Sequence, residues 1–289
     1  SFLYISKKKK MIIWLASYPK SGNTLLRSIL GTYFFSQDGN CTFDHIYKIG
    51  QFPSLDHFRD MNIDVNDINQ TTVNYTKAQN YLNTKNKSIK LFKTHSAFFK
   101  KSNGVSFCDF ESSLGAIYIV RDPRNVVTSY SQHYSTTVEK SCEQMIKEDM
   151  YITKTESNPA VYVSSWRLNY LSWKKVGIPV LFIRYEDLIK NTKEKLIEVF
   201  NFFKTLGMNN NLYDDKKLDK VIKSTQFYNM KKLEKKNGFR EAVFKFKTGE
   251  KIPFFNLGPS NNWRNKLDPN LANKIEKAFS KEMEELGYI

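Results

Sequence analysis

Residues 11–24 read MIIWLASYPKSGNT, and this stretch decides the fold. Its first six residues form a nearly continuous apolar run, which is typical of a strand covered on both faces of a sheet. Apolar side chains at helical spacing follow at 25–34, so the stretch predicts a strand, a short loop and an amphipathic helix. Backbone N–H groups at the start of such a helix point toward the loop, and this arrangement favours anion binding.

The remainder of the chain alternates in the same way between short apolar runs and longer helical patterns. Strands are predicted at 11–16, 88–94, 116–120 and 180–184. Helices are predicted over 25–34, from Pro159 through 161–176, over 196–206 with Gly207 as the capping glycine, and from Asp268 to about residue 287. This alternation is typical of a parallel sheet with crossover helices, so we expect an α/β fold. The segments 36–87 and 231–262 are predicted to be irregular loops over a site.

The composition excludes several classes of protein. Of the 289 residues, 40% are hydrophobic and 15% aromatic, which excludes disorder of the whole chain. The three cysteines form no CxxC pair, so we expect neither a disulfide framework nor a structural zinc site, and a reducing, cytoplasmic location. No apolar run approaches the roughly 20 residues of a membrane-spanning helix. The length suits one large domain or two small ones, and we expect an extension at 1–10 and a single domain at 11–289.

The charge of the chain is strongly basic. Lys and Arg number 45 against 29 Asp and Glu, a formal net charge of +16 that attracts polyanions. A nucleic acid, a phosphorylated small molecule and an acidic membrane or glycan are the candidate partners. The lysines are spread along the chain and no groove-reading motif is visible, so a solvated basic surface is favoured and no nucleic-acid partner is expected.

The loop at 17–24, SYPKSGNT, differs from the GxxxxGK[ST] loop of nucleotide triphosphatases. With Gly22 as the second glycine, Ser17 takes the first glycine position and Asn23 takes the lysine position. Thr24 keeps the final hydroxyl, while the lysine lies inside the loop at Lys20. The loop therefore predicts an anion site and matches an ATPase poorly; an ordinary strand-to-helix turn is the alternative.

A second anion site is predicted at 119–130, IVRDPRNVVTSY. Arg121 lies at the carboxyl end of a predicted strand, where open α/β sheets bind ligands. Ser129 follows eight residues later, about two helical turns, so both side chains can face one phosphate monoester. Taken alone, an ion pair of Arg121 with a nearby carboxylate is favoured; together with the loop at 17–24, the phosphate site is favoured.

A candidate base ends the predicted strand at 88–94, in the sequence Lys93-Thr94-His95. Histidine is the natural general base near neutral pH, although a single histidine is more often structural. The other three histidines, His45, His57 and His133, are interpreted as structural.

The stretch YPKSGNT at 18–24 resembles the YPKSGTT loop of the cytosolic-type sulfotransferases, which bind 3′-phosphoadenosine 5′-phosphosulfate (PAPS). The resemblance implies that Lys20 contacts the bridging oxygen of the phosphosulfate. The residues implied to bind the 5′-phosphate are Ser21, Gly22, Asn23 and Thr24. Asn23 replaces the family's first threonine, and Leu25 replaces a tryptophan that stacks on adenine in many members.

The other two motifs extend this resemblance. The family's RxxxxxxxS pair, its 3′-phosphate site, has the spacing of Arg121 and Ser129. Its KTH histidine, which deprotonates the acceptor hydroxyl, corresponds to His95. The resemblance implies in-line sulfuryl transfer in which Lys20 and Lys93 stabilise developing charge, by analogy with phosphoryl transfer, and no catalytic metal is expected. The product of the donor would be 3′,5′-diphosphoadenosine (PAP).

Three further stretches resemble the family. VLFIRYEDL at 180–188 places Tyr185 near the nucleotide base, and TQFYNMK at 225–231 resembles a TSFxxMK stretch that closes over adenine. The residues that this second match implies are Thr225, Phe227 and Met230. Packing roles for these residues and for Tyr185 are the alternative. The stretch at 254–265 resembles FxRKGxxGDWKN and keeps Gly258.

One departure concerns the family's Arg-Lys pair on the 3′-phosphate, which is Asn256-Leu257 in this chain. Arg264, Lys251 or Lys247 substitutes for the pair, or the affinity for the donor is lower.

Together these motifs predict a P-loop-like three-layer sandwich with a mostly parallel central sheet and helices on both faces. We expect the two anion sites at neighbouring strand ends, with His95 beside the nearer one. The predicted function is a PAPS-dependent sulfotransferase that acts on a hydroxyl of a small molecule, lipid or glycan; a P-loop kinase and a non-catalytic nucleotide- or polyanion-binding module are the alternatives. Residues 36–87 and 136–157, with the aromatic side chains Phe98, Phe99 and Tyr134, are candidates for the acceptor pocket. The oligomeric state is left open.

Overall fold

The computed structural model describes residues 11–85, 88–100, 102–208, 213–244 and 248–289. The predicted extension at 1–10 and the candidate substitute Lys247 lie outside the described residues. The strands are β1 (Ile12–Ser17), β2 (Gly50–Gln51), β3 (Lys90–Thr94), β4 (Ser113–Val120), β5 (Tyr151–Ile152), β6 (Val161–Tyr162), β7 (Val180–Arg184), β8 (Val243–Phe244) and β9 (Lys251–Ile252). The helices are α1 (Asn23–Phe35), α2 (Phe43–Tyr47), α3 (Ile68–Val73), α4 (Tyr75–Lys85), α5 (Pro123–His133), α6 (Val138–Ile146), α7 (Trp166–Lys174), α8 (Tyr185–Lys190), α9 (Thr192–Thr205), α10 (Asp215–Ser224), α11 (Phe227–Asn237) and α12 (Pro269–Glu285).

A five-stranded sheet in the order β2-β3-β1-β4-β7 forms the centre of the molecule, and its pairings are all parallel. Every residue of β1 is buried. Trp14 packs into an apolar cluster on one face of the sheet, and Ile13 and Leu15 pack into another on the opposite face. This alternation follows from the two-residue period of a strand, so helices cover both faces. The α/β prediction is confirmed.

The predicted helix start at Pro159 is wrong. Val161 and Tyr162 form β6, which pairs antiparallel with β5. The helix α7 begins instead at Trp166, where the hydroxyl of Ser165 accepts a hydrogen bond from the N–H of Leu168 (3.1 Å). The buried Val161 and Val163 alternate with period two, which is the pattern of a strand and differs from the helical pattern that follows.

The predicted helix ends are confirmed at two places. Gly207 follows α9 with a φ of 85°, a left-handed conformation that glycine adopts without steric cost. The carboxylate of Asp268 accepts hydrogen bonds from the first turn of α12, at the N–H groups of Asn270 and Leu271. The prediction that 36–87 and 231–262 are irregular loops is wrong in part. The first segment contains α2, α3 and α4, the second contains the end of α11, and the two-residue strands β2, β8 and β9 also fall in them.

Candidate active site

The sheet brings the predicted residues to one edge. β1 lies between β3 and β4, with Ala16 opposite Thr94 and Ser17 opposite Ile119. Because the three strands are parallel, their carboxyl ends meet at the same edge, which is where α/β sheets bind ligands. The loop at 17–24, His95 and Arg121 each follow one of these ends directly.

A cavity of about 940 Å³ opens at this edge. The predicted residues that line it are Lys20, Gly22, Asn23, Thr24, Lys93, His95, Arg121, Ser129, Tyr185, Thr225, Phe227, Met230 and Gly258. Ser21 lies beneath the loop and is fully buried. The structure therefore gathers these residues around one space, although their sequence positions span most of the chain.

The loop at 17–24 has an unusual backbone. Lys20 has a φ of 64° and Gly22 a φ of 105°, both in the left-handed region. A Cβ atom at Gly22 would lie 2.4 Å from Cδ2 of Tyr185, so only glycine fits beneath this ring. The side chain of Asn23 turns inward and donates to the carbonyl oxygen of Leu15 (2.8 Å), so it braces the loop. Its backbone N–H stays at the start of α1.

Arg121 links the two predicted anion sites. Its Nη1 donates to the backbone carbonyl oxygen of Lys20 (3.1 Å), and its guanidinium stacks on the ring of Tyr185 at 4.3 Å. Within the part of the chain that the structure describes, no carboxylate lies within ion-pair distance of Arg121, so the alternative of a simple ion pair does not hold. The buried Nε of Arg121 has no hydrogen-bond partner there.

Burial and a neighbouring positive charge destabilise the protonated form of Lys20. Its Nζ lies 4.2 Å from the ring centroid of Phe254. Burial, and then the charge of Lys93, lower the pKa of Lys20 to about 7, with only partial compensation by Glu241. An anion placed beside this ammonium group would relieve the repulsion and keep the group protonated.

His95 is oriented by the strand beside it. Its Nδ1 lies 2.9 Å from the carbonyl oxygen of Ser17; because a carbonyl can only accept, Nδ1 carries the proton and Nε2 is left with its lone pair. Burial, and then the charge of Lys93, lower the pKa of His95 to about 3, so the imidazole is neutral near pH 7. Asn169 fixes the backbone of this residue through the carbonyl oxygen of His95 (3.1 Å).

Lys93 has a partner that the sequence reasoning missed. Its Nζ lies 3.0 Å from Oε2 of Glu241, and the other oxygen of this carboxylate pairs with the guanidinium of Arg27. Both Lys93 and Glu241 line the cavity. No sequence motif marks Glu241 or Arg27. The only indication of Glu241 in the sequence is that it falls in the segment 231–262, which was predicted to be a loop over a site.

The residues predicted to lie near adenine, Thr225, Phe227 and Met230, line the cavity and also pack against other parts of the protein. The hydroxyl of Thr225, the residue that follows α10, donates to the carbonyl oxygen of Val221 in the last turn of that helix (2.8 Å). Met230 packs against an aromatic cluster that contains Phe43, Phe239 and Phe255, and it also faces the cavity. The left-handed Gly258 lies so close to the Phe227 ring that a Cβ would come within 2.4 Å of it.

A smaller cavity of about 50 Å³ adjoins Lys20, Arg121 and Ser129. Its other walls are formed by Gln132, His133, Ile252, Pro253, Phe254, Asn256, Leu257, Gly258 and Asn261. Burial, and then the charge of Lys20, lower the pKa of His133 to about 2, so this imidazole is neutral. The candidate substitutes Arg264 and Lys251 line neither cavity; Arg264 lies over the ring of Trp263, 4.6 Å from its centroid. Neutral side chains therefore occupy the positions near the family's Arg-Lys pair.

One wall of the large cavity comes from β5, β6 and the turn between them. Residues 152–161 contribute mainly polar side chains there, and Gln51, Phe52 and Tyr134 also line the cavity. Phe98 and Phe99 do not line it; they pack against the apolar cluster around Trp14. Of the predicted acceptor aromatics, Tyr134 alone reaches this cavity.

One buried polar atom beside the cavities has the chemistry to pair with an anion. Nε of Arg121, a residue that lines both cavities, has no hydrogen-bond partner in the described ranges, whereas the unpaired Ser21 Oγ lies beneath the loop and Ser21 lines neither cavity. Such atoms are costly unless a ligand pairs with them. Within 11–85, 88–100, 102–208, 213–244 and 248–289, no three His, Cys, Asp or Glu side chains are grouped as metal ligands. None of the helices in those ranges combines the length and apolar character that a membrane span requires.

Comparison with known proteins identifies the class. A family model described as a sulfotransferase domain matches residues 10–287, and the chain belongs to this family. Sulfotransferase 1E1 of Bos taurus is 25% identical over 272 residues, which cover 93% of this chain and 82% of that protein. Sulfotransferase 1B1 of Canis lupus familiaris is 26% identical over 277 residues, which cover 94% of this chain and 83% of that protein.

Solved structures agree on the fold. A crystal structure of retinol dehydratase in complex with retinol and PAP matches with a TM-score of 0.59 at 16% identity, covering 95% of this chain and 82% of that chain. Retinol dehydratase in complex with androsterone and PAP matches with a TM-score of 0.56 at 15% identity, covering 94% and 80%. The prediction of a sulfotransferase-type α/β fold is confirmed.

Proposed function

We propose that this protein transfers the sulfuryl group of PAPS to a hydroxyl of a small-molecule, lipid or glycan acceptor, with His95 as the base. The observation that carries the proposal is the hydrogen bond from Arg121 to the carbonyl oxygen of Lys20. It joins two anion sites in one cavity that His95 also lines. A donor with separate 5′ and 3′ phosphate groups needs this pairing.

The reaction requires an activated donor, and it requires a base and charge stabilisation from the chain. PAPS supplies an activated sulfuryl group whose leaving group is a phosphate oxygen. Nε2 of His95 accepts the acceptor's proton as the acceptor oxygen bonds to sulfur and the bond from sulfur to the phosphate oxygen breaks. Lys20 and Lys93 stabilise the negative charge that moves to that phosphate oxygen, and their fixed positions avoid reorganisation during the step. The low pKa of His95 reflects burial and the charge of Lys93, and a bound anion would oppose the contribution of the charge.

Two alternatives are less well supported. A P-loop kinase would need a lysine at the position of Asn23, whose side chain instead braces the loop against Leu15. A non-catalytic polyanion-binding module would have no need of the buried His95 beside Lys93. The cytoplasmic location, a single domain at 11–289 and the absence of a nucleic-acid partner remain parts of the proposal.

The test is sulfuryl transfer from labelled PAPS to a panel of phenols, alcohols and sugars, alongside PAP binding by calorimetry. His95→Asn keeps a side-chain donor for the Ser17 carbonyl oxygen but removes the base. We expect this variant to bind PAP and to lose transfer by about 10²- to 10⁴-fold. His45→Asn, a histidine outside the cavity, is the matched control. Transfer by His95→Asn at the wild-type rate would remove His95 from the mechanism, and equal binding of ATP and PAP would favour a rival.

A further inference from the structure

Among the residues that the structure describes, Glu241 is the one carboxylate lining the cavity that pairs with two buried cations. We propose that Glu241, whose carboxylate Arg27 holds from the other side, is a positioning residue that keeps Lys93 in place and protonated for the transfer step. This inference rests on the proposed function for its catalytic meaning, but the contact itself is a property of this chain. No sequence motif pointed to it.

The cluster has a definite geometry. Lys93 Nζ lies 3.0 Å from Oε2 of Glu241, and Oε1 of the same carboxylate pairs with the guanidinium of Arg27. The side chains of Lys93 and Arg27 are 7% and 3% exposed, whereas that of Glu241 is 25% exposed and reaches the cavity. One carboxylate thus bridges a helix, α1, and the end of the strand β3.

The three residues before Glu241 hold its backbone in this position. α11 is capped at its C-terminus by Gly238, which has a φ of 71° and ends the helix there. Phe239 is buried in the aromatic cluster with Phe43 and Phe255. The N–H of Arg240 then donates to the hydroxyl of Tyr47 (2.9 Å). Because these anchors come directly before Glu241, its carboxylate is placed by the fold.

Glu241 supplies the negative charge in a group of positively charged side chains around Lys93. The charged and titratable groups that face Lys93 are Lys20 from the loop after β1, Arg27 from α1, His95 after β3, His133 from α5, and Glu241. Both imidazoles are neutral near pH 7, so Glu241 is the one anion among three cations in this group. Burial lowers the pKa of Lys93, and the Glu241 carboxylate opposes that shift. Burial would raise the pKa of Glu241 itself, but Lys93 and Arg27 outweigh it and hold that pKa well below its usual value.

The two other members of the cluster, Glu241 and Arg27, therefore predict opposite effects on the pKa of Lys93. Glu241→Gln keeps the shape but removes the anion, so Lys93 should lose its proton at a lower pH. Arg27→Gln removes a competing cation and leaves Glu241 to Lys93, so Lys93 should lose its proton at a higher pH. A purely structural role would not move the titration of Lys93 in two directions.

The experiment measures the titration of Lys93 by pH-dependent competitive acetylation, read for each lysine by mass spectrometry, and the pH profile of kcat/KM for sulfuryl transfer. For Glu241→Gln we expect a downward shift of about 1 to 3 pH units for Lys93, with the alkaline limb of activity moving the same way. PAP binding should be retained or tighter, because an anion has left the cavity. Glu198→Gln, which removes a carboxylate paired with Lys195 on the surface of α9, is the matched control.

Several outcomes would overturn the inference. The first is an unchanged Lys93 titration in Glu241→Gln, and the second is a shift of the Lys93 titration in Glu198→Gln as large as that in Glu241→Gln. The third is faster transfer by Glu241→Gln, which would mean that Glu241 is an inhibitory contact. If Glu241→Gln does not fold, two other variants test the inference. We expect Glu241→Asp to lower the pKa of Lys93 by a smaller amount and Arg27→Gln to raise it. If the wild type transfers no sulfuryl group, the proposed function fails, while the Lys93 titration still tests the role of Glu241.

Discussion

The guanidinium of Arg121 donates a hydrogen bond to the backbone carbonyl oxygen of Lys20, with 3.1 Å between nitrogen and oxygen. The two residues follow neighbouring strands, β1 and β4, and the bond ties their loops together. Each loop alone is an ordinary feature of an α/β sheet. Under the proposed function, the bond places the two phosphate sites side by side in one cavity.

The lowered pKa of Lys20 predicts a pH dependence of PAP binding. In the ligand-free protein Lys20 has a pKa of about 7, so its ammonium is increasingly deprotonated above pH 7. A bound anion favours the protonated form and raises the pKa, so binding takes up a proton at pH 8. We therefore expect PAP affinity to fall by up to about tenfold per pH unit above pH 7.5, where the phosphate groups of PAP no longer titrate.

Calorimetry in buffers of different ionisation enthalpy measures this proton uptake. Lys20→Arg is the matched variant, because its charge is fixed over this range, and its affinity for PAP should be flat with pH. Proton uptake that persists undiminished in Lys20→Arg would assign the proton to another group.

Gly22 should be irreplaceable for two separable reasons. Gly207→Ala places a side chain at a φ of 85° with nothing within 4 Å of its Cβ, so it tests backbone strain alone. We expect it to lower the free energy of unfolding by about 1 to 2 kcal/mol and to leave PAP binding intact. Gly22→Ala carries similar strain and also pushes its Cβ into Tyr185, so it should cost more stability and abolish PAP binding. Denaturant unfolding and calorimetry measure both effects, and equal behaviour of the two variants would show that the contact with Tyr185 is unimportant.

The neutral wall of the small cavity predicts a gain of affinity. Asn256 lies beside Arg121 and Ser129, at one of the positions where the family has a basic pair. Asn256→Arg should strengthen PAP binding by about tenfold, since hydrogen bonds between charged groups contribute about 1.5 to 3 kcal/mol, part of which offsets the ordering of the side chain. Asn270→Arg adds the same charge on α12, away from both cavities, and should have little effect. An equal gain in both variants would indicate general attraction to the basic surface.

The sequence was informative where one physical requirement dominated. β1 is buried on both faces, so its residues had to be apolar, and the loop after it had to contain Gly22 because only glycine fits under Tyr185. The start of α7 was misplaced because Pro159 is a common first residue of helices, whereas the chain forms β6 before Ser165 caps the helix. Glu241 could not be found, because its importance arises from Lys93 and Arg27, which are distant in sequence and meet it only after folding.

The central claim is that Arg121 recognises a second phosphate group on the same nucleotide whose first phosphate lies at Lys20. The most direct measurement compares the affinities of wild type and Arg121→Met for PAP and for adenosine 5′-phosphate, which lacks the 3′-phosphate, with Arg264→Met as a control off both cavities. We predict that Arg121→Met weakens PAP binding by about 10- to 100-fold and changes the binding of adenosine 5′-phosphate much less. Arg264→Met should change the affinity for neither nucleotide. Equal losses for both nucleotides in Arg121→Met, or no loss for PAP, would contradict the account.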